Sequence, residues 1–395
     1  MKYGTLLSLC AVIVLGSPVQ ANDNAGARQQ ALAQLGQALF FDTSLSFNRS
    51  QSCASCHDPA RGFADPGANS LGGAVSLGDD GRSLGDRNAP SVAYAAFSPD
   101  FHRDGDGHYV GGQFWDGRAA TLADQAMGPP LNPGEMAMPD METVRQRLLE
   151  NPDHVARISR LFGEGVLEEA GSAYRAMAES IAAFERTESV SPFDSRYDRY
   201  LRGEYQMTEQ EELGRTLFFS RQFTNCNQCH QLEASPISQR ETFSNYRYHN
   251  IGVPVNAQVR AANGSDPNLV DPGLLNNPNV IDWEARGRFK VPGLRNVAVT
   301  GPYMHNGVFT ELETVVRFYN QYNSKSAKNR INPETGEPWG GPEVAENLSL
   351  TELEHGPALD DKRIEALVAF LKTLTDRRYE PLLEQQRASR KEAGH

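Results

Sequence analysis

Cys226-Asn227-Gln228-Cys229-His230 decides how this chain is read, because Cys53-Ala54-Ser55-Cys56-His57 repeats it. Two thiols at this spacing can add to the two vinyl groups of one haem, and the imidazole that follows then meets one axial face of the iron. A redox dithiol or half a zinc site would need only the cysteines. Neither calls for a histidine directly after the second cysteine in both copies. The motifs therefore predict two covalently attached c-type haems, each a flat apolar body around which a small helical domain can close.

Moving outward, Leu35-Gly36-Gln37-Ala38-Leu39-Phe40-Phe41 precedes the first motif and Leu213-Gly214-Arg215-Thr216-Leu217-Phe218-Phe219 precedes the second. A helix, a loop and a haem motif in each copy argue for internal duplication. Each half also closes on a helical pattern: Met177, Ile181 and Phe184 in one, Ile364, Leu367, Val368 and Leu371 in the other. Polar residues 188–206, Tyr-rich and containing Pro192, read as the linker. Residues 62–90 and 261–279 carry no regular pattern, as cofactor-wrapping loops do. Asp104-Gly105-Asp106-Gly107 reads as a turn, since the later ligands of a calcium loop are missing. The expected fold is mainly α: two cytochrome c-like haem domains related by duplication, with long irregular loops. Its parts are an export signal (1–21), an N-terminal domain with a peroxidatic high-spin haem (22–190), and a linker plus C-terminal domain with a low-spin haem (191–395).

The 395 residues suffice for two domains. Lys2, the apolar run from Leu6 to Leu15 and Val19-Gln20-Ala21 read as a cleaved signal rather than a membrane anchor, and no other stretch is apolar for long enough to span a bilayer. Cys10 leaves with that signal, so haem takes the four remaining cysteines and no disulfide framework is left. Such chemistry suits an oxidising compartment, most simply a bacterial periplasm. The formal charge of −12 disfavours nucleic acid and permits a protein partner.

After Pro302, Thr310-Glu311-Leu312-Glu313 predicts a capping box with Thr310 as N-cap. The helix it opens carries Leu312, Val315, Val316 and Tyr319 on one stripe. Tyr319 is then either a core tyrosine or the second axial ligand opposite His230. Met304 competes for that role. A thioether raises haem potential and suits an electron carrier, whereas a phenolate favours oxidised iron.

The two motifs, the repeated Leu-Gly-x-x-Leu-Phe-Phe phrase and Leu294-Arg295-Asn296-Val297 running into Gly301-Pro302-Tyr303 resemble the bacterial dihaem cytochrome c peroxidase family, and within it the MauG-like branch. The resemblance implies Tyr319 as ligand, where other members carry methionine, and Trp115 between the haems. It implies Gln125, Pro129 and Glu135 in the distal pocket of the first haem, and one calcium ion held by Asn88, Thr300 and Pro302. Thr224 departs from the branch, which has a surface tryptophan there as a relay to a protein substrate. The implied activity begins with hydrogen peroxide at the first haem. High-valent haems then oxidise tryptophans of a methylamine dehydrogenase precursor, maturing its tryptophan tryptophylquinone. Two alternatives stay open: a peroxidase reducing peroxide to water with electrons from a small cytochrome or cupredoxin, and a non-enzymatic dihaem carrier.

Overall fold

The computed structural model describes residues 1, 18–232, 239–266 and 268–392. Most of the expected export signal lies outside the described residues, and among these no helix is long and apolar enough to cross a membrane. The first half contains α1 (Pro18–Phe40), α2 (Cys53–Cys56), α3 (Leu122–Ala126), α4 (Met141–Leu149), α5 (Pro152–Phe162) and α6 (Ala170–Glu185). The second contains α7 (Arg196–Leu201), α8 (Glu209–Phe218), α9 (Cys226–Cys229), α10 (Ala257–Asn263), α11 (Leu312–Asn320), α12 (Leu350–Leu353), α13 (Asp361–Lys372) and α14 (Glu380–Glu392). Strand is confined to two short antiparallel pairs, β1 (His102–Arg103) with β2 (Tyr109–Val110) and β3 (Tyr248–His249) with β4 (Phe289–Lys290). The fold is mainly helical with long loops, as the sequence predicts.

The repeated phrase explains the two helix pairs. In α1, Leu35, Leu39 and Phe40 are buried against α6, and in α8, Leu217 and Phe218 are buried against α13. Phe40 meets Phe184 with ring centroids 5.2 Å apart, and Phe218 meets Phe370 at the same 5.2 Å. Such pairs add about 0.5–1.5 kcal/mol beyond the area they bury. The glycine of each phrase permits the approach. An ideal Cβ on Gly36 would overlap the Ser180 carbonyl oxygen, and one on Gly214 would overlap that of Ala366.

The stretch 188–206 is less of a linker than its composition suggests. Ser195 and Asp198 cap each other's backbone at the start of α7, and Tyr197 is wholly buried between the rings of Phe243 and Phe370. Asp198 also accepts from the buried Arg295 at 2.6 Å. A polar segment is thus pinned by one aromatic side chain that composition does not single out.

The halves meet at Asp376. The Tyr94 hydroxyl donates to Asp376 Oδ1 at 2.6 Å, while Asn296 Nδ2 donates to Oδ2 and the Asp376 amide donates to Asn296 Oδ1, both at 2.8 Å. Burial lifts this carboxyl to about 6. The folded chain therefore binds more protons than the unfolded chain from 3.8 to about 6, and this residue's contribution to stability falls as pH rises through that window. Tyr94→Phe removes one donor from a buried acceptor and is expected to cost about 1–3 kcal/mol in chemical denaturation of the holoprotein. An unchanged midpoint would show that the junction does not depend on this bond.

Candidate dihaem site

Each half walls a cavity beside its cysteine pair. The second, of about 210 Å³, is lined by Cys226, Cys229 and His230, and the first, of about 330 Å³, by Cys53, Cys56 and His57. None of these four cysteines is paired in a disulfide. The one-turn helices α2 and α9 bring both sulfurs of a pair to one wall, and the histidine follows as the C-cap residue. His57 Nδ1 lies 3.3 Å from the Phe63 carbonyl and His230 Nδ1 lies 3.1 Å from that of Phe243. A carbonyl only accepts, so Nδ1 carries the proton and Nε2 keeps its lone pair for a metal. Phe63 and Phe243 both hold left-handed backbone, with φ of 56° and 59°, which turns those carbonyls towards the imidazoles. Burial pushes both imidazoles towards the neutral form, His230 to about 4. His249 Nε2 and Asn323 Oδ1, on the wall of the second cavity, are buried without a partner among the described residues, as a haem's polar edge would require. These donor sets fit one c-type haem in each cavity.

The halves continue to correspond beyond the motifs, with a constant offset. The bridge Gln113–Ala119 answers Tyr303–Phe309, and α3 begins at Leu122 where α11 begins at Leu312, 190 positions later. Applied to Tyr319, the same offset gives Pro129. Helix α11 runs on past Tyr319 to Asn320, whereas α3 stops at Ala126 and a 3₁₀ turn, Pro129–Leu131, follows. Two side chains of opposite capacity thus stand at one place in the repeat. Tyr319 presents a phenol to the second cavity, and Pro129 presents to the first a ring that can neither donate nor ligate. No described residue accepts a hydrogen bond from the Tyr319 hydroxyl, and burial holds that phenol well above its usual range. Met304 lines both cavities and stands where the first half has Phe114, both left-handed, with φ of 72° and 62°.

The expected capping box does not form. Glu311 is the N-cap residue and makes no side-chain cap bond, while Glu334 reaches from a distant loop to accept from the Thr310 hydroxyl and amide and from the Glu311 amide. A carboxylate supplied by tertiary structure takes the place of the local one. The stripe Leu312, Val315, Val316 and Tyr319 lines the cavity wall, with Leu312 and Val316 also packed into the core of the second half.

Gln125, Pro129 and Glu135 come together on the wall of the first cavity. Asn132 Nδ2 donates to Glu135 Oε1 at 2.8 Å, and burial raises the Glu135 carboxyl against the opposing pull of Arg118 and Asn132. Arg118 lines the same cavity, stacked 3.7 Å above the Phe114 ring. Trp115 lines both cavities, and its indole N–H donates to the Asn88 carbonyl at 2.8 Å. Asn88, Thr300 and Pro302 also line the first cavity. Asn88 Nδ2 donates to the Gly73 carbonyl at 3.0 Å, which leaves its side-chain oxygen available to a cation.

Lys290 and Glu185 escape a sequence reading. Lys290 lines both cavities, donates to the Gly112 carbonyl at 2.5 Å and is lowered by burial to about 7. A lysine inside the apolar run Phe289 to Pro292 was the available signal. Thr224 is buried, its hydroxyl donating to the Leu217 carbonyl at 2.6 Å, whereas neighbouring Phe223 is exposed on the rim of the second cavity. Asp104 sits in the β1–β2 turn, accepts from the Asp106 and His108 amides and pairs with Arg247 at 2.6 Å.

Comparison with known proteins accords with this arrangement. A family profile described as di-haem cytochrome c peroxidase matches residues 30–206. The chain is 54% identical to the methylamine utilization protein MauG of Paracoccus denitrificans (strain Pd 1222), over 98% of this chain and 99% of that one. It is 31% identical to the cytochrome c551 peroxidase of Nitrosomonas europaea, covering 80% of each. The solved diheme peroxidase BthA of Burkholderia thailandensis E264 superposes with a TM-score of 0.76 at 32% identity, over 88% of this chain and 86% of that one. The chain belongs to the di-haem cytochrome c peroxidase family, as a MauG-like, haem peroxidase-type oxidoreductase that carries two haems.

Proposed function

We propose that this protein works in the periplasm on hydrogen peroxide and directs the resulting oxidising power at tryptophans of a methylamine dehydrogenase precursor, completing its tryptophan tryptophylquinone during methylamine utilisation. The observation that carries this reading is the pairing of Tyr319 with Pro129 across the repeat, which supports one sealed and one open haem. When bound, the haems supply peroxide cleavage at the first iron and storage of an oxidising equivalent at the second. Glu135 takes a proton from one peroxide oxygen and returns it to the other, and Gln125 orients the molecule. His57 and His230 would hold the haems through Nε2, and Tyr319 would be a further ligand for the haem of the second cavity. Trp115, common to both cavity walls, offers an oxidisable ring between them. Asn88, Thr300 and Pro302 would supply oxygen ligands for a calcium ion.

Tyr319→Phe tests the reading. Both haems should remain covalently attached, as a pyridine haemochrome assay counts them, while the near-infrared response to stoichiometric peroxide is lost completely. A response equal to that of the parent protein would exclude Tyr319 as ligand. Burial of Thr224 favours one competing reading, a peroxidase that draws electrons from a small cytochrome or cupredoxin. Steady turnover of peroxide with such a donor, with no oxidation of precursor tryptophans, would select it.

A further inference from the structure

The repeat fixes a second asymmetry, at the end of α6. Gly36 packs on the Ser180 carbonyl and Gly214 on that of Ala366, so Ser180 corresponds to Ala366 and the residue five places on, Glu185, corresponds to Leu371. Both line their cavities, as do the corresponding pair Ile181 and Leu367. Where the second half presents a leucine to its haem, the first presents a carboxyl. Glu185 is only 4% exposed and has no hydrogen-bond or ion-pair partner among the described residues. A buried carboxyl left without a partner costs several kcal/mol when ionised, so a role in packing alone would be better served by the leucine of the other half.

We propose that Glu185 is a proton-binding site tied to the redox state of the first haem. This rests on the first cavity holding a haem. When one electron enters the iron from an external donor, one proton from water binds a Glu185 carboxylate oxygen, and oxidation releases both. No other bond forms or breaks. The carboxyl has little else to answer to. Burial pushes it up to about 8, and Arg186, the exposed C-cap residue of α6, is the charge whose pull opposes this. Cys53, whose thiol is raised in part by the Glu185 charge, becomes a thioether on attachment. Elsewhere on the cavity wall Arg87 and Arg118 are tied to Asp116, Arg295 to Asp198, Lys290 to the Gly112 carbonyl and Glu135 to Asn132. From α1 and α3, packed on α6, the cavity receives Phe40, Leu122, Gln125 and Ala126, none of them charged. Reduction removes one positive charge from the cavity, which favours the protonated acid.

The test is a spectroelectrochemical titration of both haems in the holoprotein between pH 6 and about 10, for the parent, Glu185→Gln and Glu185→Leu. In the parent, the reduction equilibrium of the first haem should fall as pH rises through the interval between the oxidised-state and reduced-state affinities of Glu185 for its proton, approaching tenfold per pH unit there. Both variants should lose that slope at the first haem and leave the second haem unchanged. A flat first-haem potential in the parent overturns the proposal whether or not the variants fold, and so does a slope that survives in either variant. Failure of the underlying reading looks different: the parent protein would hold fewer than two haems by haemochrome assay.

Discussion

Glu135→Gln is expected to slow the reaction of the diferric protein with hydrogen peroxide by about two to four orders of magnitude, the usual contribution of a positioned acid-base group. Glutamine keeps the shape and can still accept from Asn132 Nδ2, which now meets Glu135 Oε1 at 2.8 Å. What it loses is the ability to take up a proton and give it back. Peroxide cleavage in the proposed function would need both, since Glu135 would move a proton from one peroxide oxygen to the other. Burial already raises the Glu135 carboxyl, which brings its proton affinity nearer to that needed at neutral pH. Stopped-flow absorbance measures the second-order rate constant, with haem content as the control. A rate within a few-fold of the parent would remove Glu135 from the reaction and leave Gln125 and Arg118 as the polar groups to be considered.

Gly214→Ala is expected to destabilise the second half by about 3 kcal/mol or more, at the upper end of the cost of overpacking a core. The added methyl would overlap the Ala366 carbonyl oxygen, a backbone atom that no rotamer change can move, and it would also crowd the Phe370 side chain. Relief requires α8 and α13 to separate. That would loosen the Phe218–Phe370 ring contact and open the cavity wall that Leu367 and Leu371 form. Gly36→Ala should do the same to α1 and α6 through Ser180. Denaturant unfolding monitored at each haem measures the effect, and each substitution should act mainly on the haem of its own half. Equal losses at both haems would mean that the halves unfold as one unit, and no loss would mean that the helices tolerate the methyl by sliding.

What was legible in the sequence is what covalent chemistry and repetition make contiguous. Thioether formation demands both cysteines and the histidine within five residues, so the attachment sites could be read without any fold. The duplicated Leu-Gly phrase could be read for the same reason, since its glycine answers a helix contact within each half. Glu185 and Lys290 could not be found that way. Each follows or sits among apolar residues that predict burial, and only the walls of the cavities show that burial there means facing a haem. The cap of α11 was misplaced because Glu334, a score of residues away in sequence, outcompetes the local Glu313 for Thr310. The stretch around Tyr197 reads as a linker because composition averages over a window, whereas one buried ring suffices to order it.

The point at which α3 ends has a wider consequence. Had that helix continued for one more turn, as α11 does, a side chain from it would face the first cavity as Tyr319 faces the second. Under the proposed function, duplication would supply two related chambers, and a prolyl break of a few residues would suffice to make one a port and the other a store. Division of labour between twin cofactors here depends less on new chemistry than on where a spiral of backbone is told to stop.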